Sequence, residues 1–112
     1  MVRLYDRPWG CWEEYIDERG YRVKRIIISS GKRFSLQYHH LRSEHWVIVQ
    51  GRGRLTIDDS QRDVSVGDYV FIPVNCQHRL ENIDEENLVF IVIQLGKCLE
   101  EDIVRLEDDW NR

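Results

Sequence analysis

The 112-residue chain lacks the features that mark membrane and secreted proteins. No apolar run approaches the length of a membrane span, and the longest one, residues 88–93, has the length of a buried strand. The N-terminal residues show none of the charged, apolar and small-residue regions of a secretion signal. We therefore expect a cytoplasmic protein.

Cysteine and clustered positive charge are also scarce. The three cysteines, Cys11, Cys76 and Cys98, form no CxxC pair and are odd in number, so we expect no disulfide framework and a reducing compartment. Lysine and arginine are scattered and the net charge is −4, which argues against nucleic acid and membrane surfaces as partners. An anionic small molecule would have to be held by a local cluster of bases.

The composition that remains is that of a soluble globular protein, with 42% hydrophobic and 32% charged residues. This length accommodates one domain with one core, which we expect to span residues 1–112. No internal repeat or low-complexity linker divides the chain.

Short apolar segments recur between turn residues along most of the sequence. Those with the length and alternation of strands are residues 11–16, 21–29, 34–39, 44–49, 54–57, 63–66, 69–73, 78–82 and 87–95. Strands this short and this closely spaced predict an all-β sandwich or barrel.

The last segment has a different period. Leu99, Ile103, Leu106 and Trp110 are spaced four, three and four residues apart, which is typical of one face of a helix. The acidic residues at 100–102 lie where the dipole at a helix N-terminus favours them. We predict a short C-terminal helix that covers one end of the barrel, with a terminal strand as the alternative.

Two segments carry side chains that could bind a metal ion. In the first, strand alternation puts Ser35, Gln37 and His39 on one face, and Glu44 opens the next strand after a short corner. In the second, a strand and a Pro–Asn turn deliver His78. Two imidazoles, a carboxylate and an amide oxygen suit one divalent ion, zinc first, with cobalt, manganese, nickel and iron as alternatives. Each residue alone would be unremarkable, and only the joint spacing supports the prediction.

That spacing resembles the paired motifs of the cupin superfamily. The matching residues are Gly31, His39, Glu44 and Gly51 in the first motif, and Gly67, Pro73, His78 and Asn82 in the second. Gln37 replaces a histidine of the first motif, and Asn75 replaces a glycine of the second, whose left-handed turn conformation Asn tolerates. The resemblance implies a double-stranded β-helix, or jelly-roll barrel, with Gln37, His39, Glu44 and His78 as metal ligands.

Further segments resemble one cupin subgroup, the type II mannose-6-phosphate isomerases. They are RPWG at 7–10, VKRI at 23–26, SLQYHHLRSEHW at 35–46, YVFIP at 69–73, HRLEN at 78–82 and EEDIVRLEDDW at 100–110. The resemblance implies interconversion of mannose 6-phosphate and fructose 6-phosphate. In that family the cupin usually follows a mannose-1-phosphate guanylyltransferase. We expect the isomerase half alone, because this sequence contains no glycine-rich nucleotide-binding segment.

By the same resemblance, Arg105 and Lys24 are assigned as catalytic residues that contact the substrate phosphate or stabilise the enediolate. Ser35, Arg42 and Arg79 are further substrate-binding candidates, and the two arginines suit bidentate contact with a phosphate. The proton-shuttling base is not identified, because His40 and His45 adjoin inward-facing ligands and should point to the opposite face.

Two other functions stay open from the residues alone. One is a non-catalytic cupin that binds a sugar phosphate or a nucleotide sugar, which would keep the pocket but lack the base. The other is a metal oxygenase, which would need redox-active iron and usually a histidine where this chain has Gln37.

Four aromatic residues near the N-terminus bear on the oligomeric state. Tyr5, Trp9, Trp12 and Tyr15 lie within a segment that a small barrel would not bury alone, and exposed aromatic patches usually mark contacts. We therefore expect a homodimer, formed through sheet faces or an exchanged N-terminal strand.

Overall fold

The computed structural model describes residues 2–110, which form eleven β-strands and one short 3₁₀ helix, η1. The elements are β1 (Arg3–Arg7), β2 (Gly10–Glu18), β3 (Tyr21–Ile28), β4 (Leu36–Tyr38), β5 (Arg42–Gln50), β6 (Arg52–Ile57), β7 (Ser60–Ser65), β8 (Tyr69–Ile72), β9 (His78–Asn82), β10 (Leu88–Gly96), η1 (Glu100–Asp102) and β11 (Val104–Glu107). No helix within residues 2–110 is long and apolar enough to cross a membrane.

The strands pair into two antiparallel sheets. Sheet A has the order β1-β2-β3-β10-β5-β8, and sheet B has the order β11-β4-β9-β6-β7. Buried apolar side chains from both sheets form one core cluster. The all-β architecture predicted from the strand pattern is confirmed.

Alternation along the central strand β10 decides which side chains enter the core. Leu88, Phe90 and Val92 are fully buried, whereas Ile93 is 43% exposed on the outer face. Gln94 has the same parity as the buried residues and is only 2% exposed. A polar side chain therefore lies on an otherwise apolar inner face.

The predicted strands are present with shifted ends. Residues 78–82 match β9 fully, whereas the segment 34–39 contributes only the short strand β4. Arg33, just before this segment, forms an isolated bridge with Glu81. Strand β1 was not predicted. Its burial pattern shows why, because none of its side chains is fully buried and no apolar alternation marks it.

The predicted C-terminal helix is wrong, and the alternative of a terminal strand is correct. Residues 100–102 form a single 3₁₀ turn, and β11 pairs antiparallel with β4. Without β11, strand β4 would leave peptide groups unpaired at the edge of sheet B, and satisfying them outweighs a helical spacing of apolar residues. Leu99 and Leu106 are exposed, while Trp110 packs on the core and donates its Nε1–H to the Arg33 carbonyl at 2.9 Å.

The turn of the second motif has the backbone conformation expected from the sequence. Asn75 has a φ of +65°, in the left-handed region, so it takes the role of the missing glycine. Its backbone N–H donates to the His39 carbonyl at 2.8 Å, and its Oδ1 lies 2.8 Å from His40 Nδ1. This turn therefore anchors the chain at the end of β4.

Gly10, at the start of β2, provides a test of the packing between β2 and β3. A Cβ atom at this position would lie 2.0 Å from the Ile27 carbonyl oxygen, and φ is +154°. We expect Gly10→Ala to lower the free energy of unfolding by about 3 kcal/mol, because the backbone at Gly10 or Ile27 would have to move to make room for the methyl group. The control Gly20→Ala has a φ of +93° with nothing within 4 Å, so it should lose only about 1 kcal/mol. Urea unfolding measures both, and equal losses would contradict this prediction.

Candidate metal centre

Three buried side chains from both sheets meet with the atoms that a metal ion needs. His39 follows β4, Glu44 lies in β5 and His78 opens β9. Each offers one ligand atom, and these atoms all lie within 4.8 Å of one another. The three residues are 2%, 4% and 1% exposed, so the cluster is shielded from solvent.

The fourth expected ligand, Gln37, lies beside this cluster. In sheet B, Gln37 is paired with His78 on one side and with Arg105 on the other. The fully buried Ser35 donates its hydroxyl to Gln37 Oε1 at 2.7 Å, which fixes the orientation of the amide. Gln37 and Glu44 line the same cavity as His78.

Backbone carbonyls set the tautomer of both histidines. His39 Nδ1 lies 3.1 Å from the Asp102 carbonyl oxygen, and His78 Nδ1 lies 3.0 Å from the Cys76 carbonyl oxygen. Because a carbonyl only accepts, each Nδ1 carries the proton and donates it, so each Nε2 presents a lone pair. This arrangement is typical of histidines that ligate a metal.

The electrostatics keep all three groups in their ligating forms. Burial lowers the pKa of His39 to about 4, although the Glu44 carboxylate opposes the shift. Burial also lowers the pKa of His78. For Glu44, burial would raise the pKa, but the charge of Arg42 and the nearby imidazoles bring it down to about 2. At neutral pH the cluster therefore holds two neutral imidazoles and one carboxylate, which fits a divalent ion.

Arg42 lies against two of the same ligand atoms. Its Nε is 3.1 Å from Glu44 Oε2 and its Nη2 is 3.3 Å from His39 Nε2. A divalent ion bound by Glu44 and His39 would take over these contacts. His78 Nε2 differs, because it is buried and has no hydrogen-bond partner among the described residues. This orphaned atom is the clearest structural sign that the cluster fits a metal ion.

The cavity next to the cluster has an excess of positive charge. Its basic lining residues are Arg7, Lys24, Arg42 and Arg105, and Glu44 is the one acidic residue among those that line it. Lys24 is 4% exposed, with Nζ 3.7 Å from the centroid of the Trp12 ring. A cavity with this charge suits an anionic ligand.

Arg79, expected near the substrate, lies outside this cavity. Strand alternation points it to the opposite face of β9 from His78, where it donates to the carbonyls of Phe34 and Glu107, both at 2.9 Å. Burial lowers the pKa of Arg79. Arg79 thus holds two backbone segments together, and its role in substrate binding stays a prediction.

The two histidines excluded by alternation lie away from the centre. His40 is exposed and contacts Asn75, and His45 contacts the Tyr69 hydroxyl on the outer face of sheet A. The expectation that both would point away from the ligands agrees with these contacts.

Sequence reasoning missed two residues that build the site. The Asp102 carboxylate accepts hydrogen bonds from the backbone N–H groups of His40 at 3.0 Å and Leu41 at 2.8 Å, which holds the corner between β4 and β5. Gln94 donates its Nε2–H to Glu44 Oε2 at 2.9 Å. Gln94 follows Phe90 and Val92 at intervals of two residues, so strand alternation could have placed it on the inner face. Asp102 could not be identified in this way, because the segment was expected to be a helix.

Comparisons with known proteins show which family this chain is similar to. A family model described as "Mannose-6-phosphate isomerase C-terminal" matches residues 2–108. The mannose-1-phosphate guanylyltransferase ManC of Salmonella typhimurium is 39% identical over 113 residues, which cover 100% of this chain and 24% of that protein. The chain therefore spans about a quarter of the length of this curated relative.

Solved structures establish the fold. The capsular polysaccharide assembling protein CapF of Staphylococcus aureus has a TM-score of 0.79 at 24% identity, covering 96% of this chain and 34% of that one. The oxalate decarboxylase of Bacillus subtilis has a TM-score of 0.82 at 19% identity, covering 94% and 30%. At such identities the likeness shows the fold alone, and that fold is the cupin fold expected from the two motifs.

Removal of a single histidine tests the centre. We expect purified His39→Ala and His78→Ala, equilibrated with zinc, to lose most of their bound metal, because the remaining groups cannot complete the coordination shell. The control His45→Ala removes an imidazole from the other face of β5 and should keep wild-type metal content. Elemental analysis provides the measurement. Wild-type zinc content in a folded His39→Ala or His78→Ala protein would rule the site out.

Proposed function

Because the chain belongs to the mannose-6-phosphate isomerase C-terminal family, we propose that it interconverts mannose 6-phosphate and fructose 6-phosphate. The reaction moves a hydrogen between C1 and C2 and passes through an enediolate, with negative charge on adjacent oxygens. One observation carries the proposal: a cavity rich in basic side chains adjoins a buried cluster of two imidazoles and a carboxylate. We also propose a cytoplasmic location, since the three cysteines are free thiols.

We assign Gln37, His39, Glu44 and His78 as the ligands of one divalent ion, with zinc as the first candidate. When bound, the ion would act as a Lewis acid toward negative charge on the sugar oxygens. The chain's own contribution is to hold these ligands in place before the ion arrives, through Ser35 and the backbone carbonyls of Asp102 and Cys76.

Two basic residues receive separate roles. Arg105 lies on β11 beside Gln37, with 38% of its side chain exposed, and this partial exposure suits contact with a phosphate at the mouth of the cavity. Lys24 is almost fully buried in the same cavity, and in a shielded site its charge would stabilise an enediolate more strongly than it could in water. Arg42 is a second phosphate candidate because its guanidinium also lines the cavity.

Activity after metal replacement tests the proposal. Metal-free protein should form no fructose 6-phosphate from mannose 6-phosphate, and adding zinc, cobalt, manganese or nickel should restore turnover. Arg105→Ala should lower kcat/KM about a hundredfold while metal content stays unchanged, because it removes a charge that contacts substrate. The control Arg54→Ala removes an exposed arginine that pairs with Asp63 elsewhere and should keep full activity. Binding of a sugar phosphate without turnover would favour the non-catalytic binding cupin instead.

We also propose that the protein is a homodimer, formed through the outer face of sheet A. Two of the aromatic residues that suggested a dimer are buried within the chain, because Trp9 and Trp12 are only 6% and 5% exposed. The outer face offers a better surface. Phe71, His45 and Ile93 form one row across three paired strands, and the exposed Tyr69 and Val47 are paired in the next row. Exposed apolar surface of this kind is usual at a contact.

A charge placed in this face tests the dimer. We expect light scattering at tens of micromolar to give a dimer mass for the wild type and a monomer mass for Phe71→Glu, because a buried unpaired carboxylate opposes association. The control Val66→Glu changes an exposed residue of the turn between β7 and β8 and should remain dimeric. A monomer mass for the wild type would end the proposal.

A further inference from the structure

Residues that carry a buried polar atom without a partner gather around the cavity beside the metal centre. Among the described residues, the buried side-chain atoms that lack a hydrogen-bond partner are Trp9 Nε1, Arg22 Nε, His78 Nε2 and Gln94 Oε1. Arg22 Nε lies 3.0 Å from Glu14 Oε1 in an ion pair, so its charge is compensated. The other three residues all line the one cavity. Leaving a buried polar group without a partner is costly, so three such residues around one cavity point to a ligand.

His78 Nε2 would be satisfied by the metal ion. Two atoms then remain, the donor Trp9 Nε1 and the acceptor Gln94 Oε1. Trp9 is 6% exposed and lies in the turn between β1 and β2, and its indole N–H can only donate. Gln94 is 2% exposed, and its Nε2–H donates to the Glu44 carboxylate, which only accepts. The orientation of the Gln94 amide is therefore fixed, and its Oε1 is an acceptor without a donor.

We propose that Trp9 and Gln94 are specificity residues that recognise hydroxyl groups of the ligand. A hydroxyl both donates and accepts, so it satisfies either atom. The phosphate part of the ligand is fully ionised or nearly so at neutral pH and offers the Gln94 oxygen no proton. Gln94 therefore faces the polyhydroxylated part of a sugar phosphate, while the basic side chains meet the phosphate. This inference deepens the proposed function and rests on the ligand class that it names.

Binding of ligands that cannot react separates hydroxyl recognition from catalysis. Mannitol 1-phosphate has no carbonyl group and cannot be isomerised, and hexyl phosphate has the same number of carbons and the same phosphate without any hydroxyl. Calorimetric titration of the zinc-loaded protein should show tighter binding of mannitol 1-phosphate than of hexyl phosphate. Trp9→Phe and Gln94→Met should each weaken mannitol 1-phosphate binding by about tenfold and leave hexyl phosphate binding unchanged, since each loses one hydrogen bond to a ligand hydroxyl. Gln94→Met also loses its hydrogen bond to Glu44, so elemental analysis of the variant first checks that its zinc content is that of the wild type.

The control Trp110→Phe removes an indole N–H that donates to the Arg33 carbonyl outside the cavity, so it should leave both affinities unchanged. Equal weakening of both ligands by Trp9→Phe and Gln94→Met would overturn the inference, as would a wild type that does not distinguish the two ligands. If Trp9→Phe does not fold, Gln94→Met alone decides. A protein that binds in the expected pattern but forms no fructose 6-phosphate would refute the isomerase and leave this inference standing.

Discussion

The candidate site depends on a carboxylate that is buried together with its compensating partners. Removing a carboxylate from water is costly unless hydrogen bonds and opposite charge replace the lost hydration. Around Glu44, Trp46 Nε1 donates to Oε1 at 2.9 Å, and Gln94 Nε2 and Arg42 Nε donate to Oε2 at 2.9 and 3.1 Å. Each of these residues is itself almost fully buried. The negative charge therefore has a fixed position, and the neighbouring imidazoles are arranged around it.

A segment that is distant in sequence from the three metal-ligand candidates also helps to position them. Asp102 touches the site twice, because its carboxylate holds the corner after His39 and its carbonyl orients the His39 ring. The next strand, β11, brings Arg105 beside Gln37. The C-terminal part of the chain therefore supplies positioning contacts and a basic side chain, and it is more than a cover for one end of the sheets.

The sequence predicts the parts of this structure that follow from local patterns. Alternation and turn residues identified most strands, and the two spaced motifs selected the three residues that converge in space. The C-terminal segment was mispredicted because its apolar spacing fits a helix, while the hydrogen bonds available at the edge of β4 depend on tertiary structure. Arg79 lies outside the cavity for a different reason, because adjacent residues of a strand point to opposite faces of the sheet. Gln94 was predictable in principle from its parity within β10.

The position of β10 in sheet A has a consequence for how the chain folds during synthesis. This strand lies between β3 and β5, and it forms backbone hydrogen bonds with both. A growing chain that has not yet reached residue 88 therefore lacks the central strand of the larger sheet and leaves two strand edges unpaired. Such edges readily pair with other chains. The larger sheet is therefore complete only after β10 has paired with both β3 and β5.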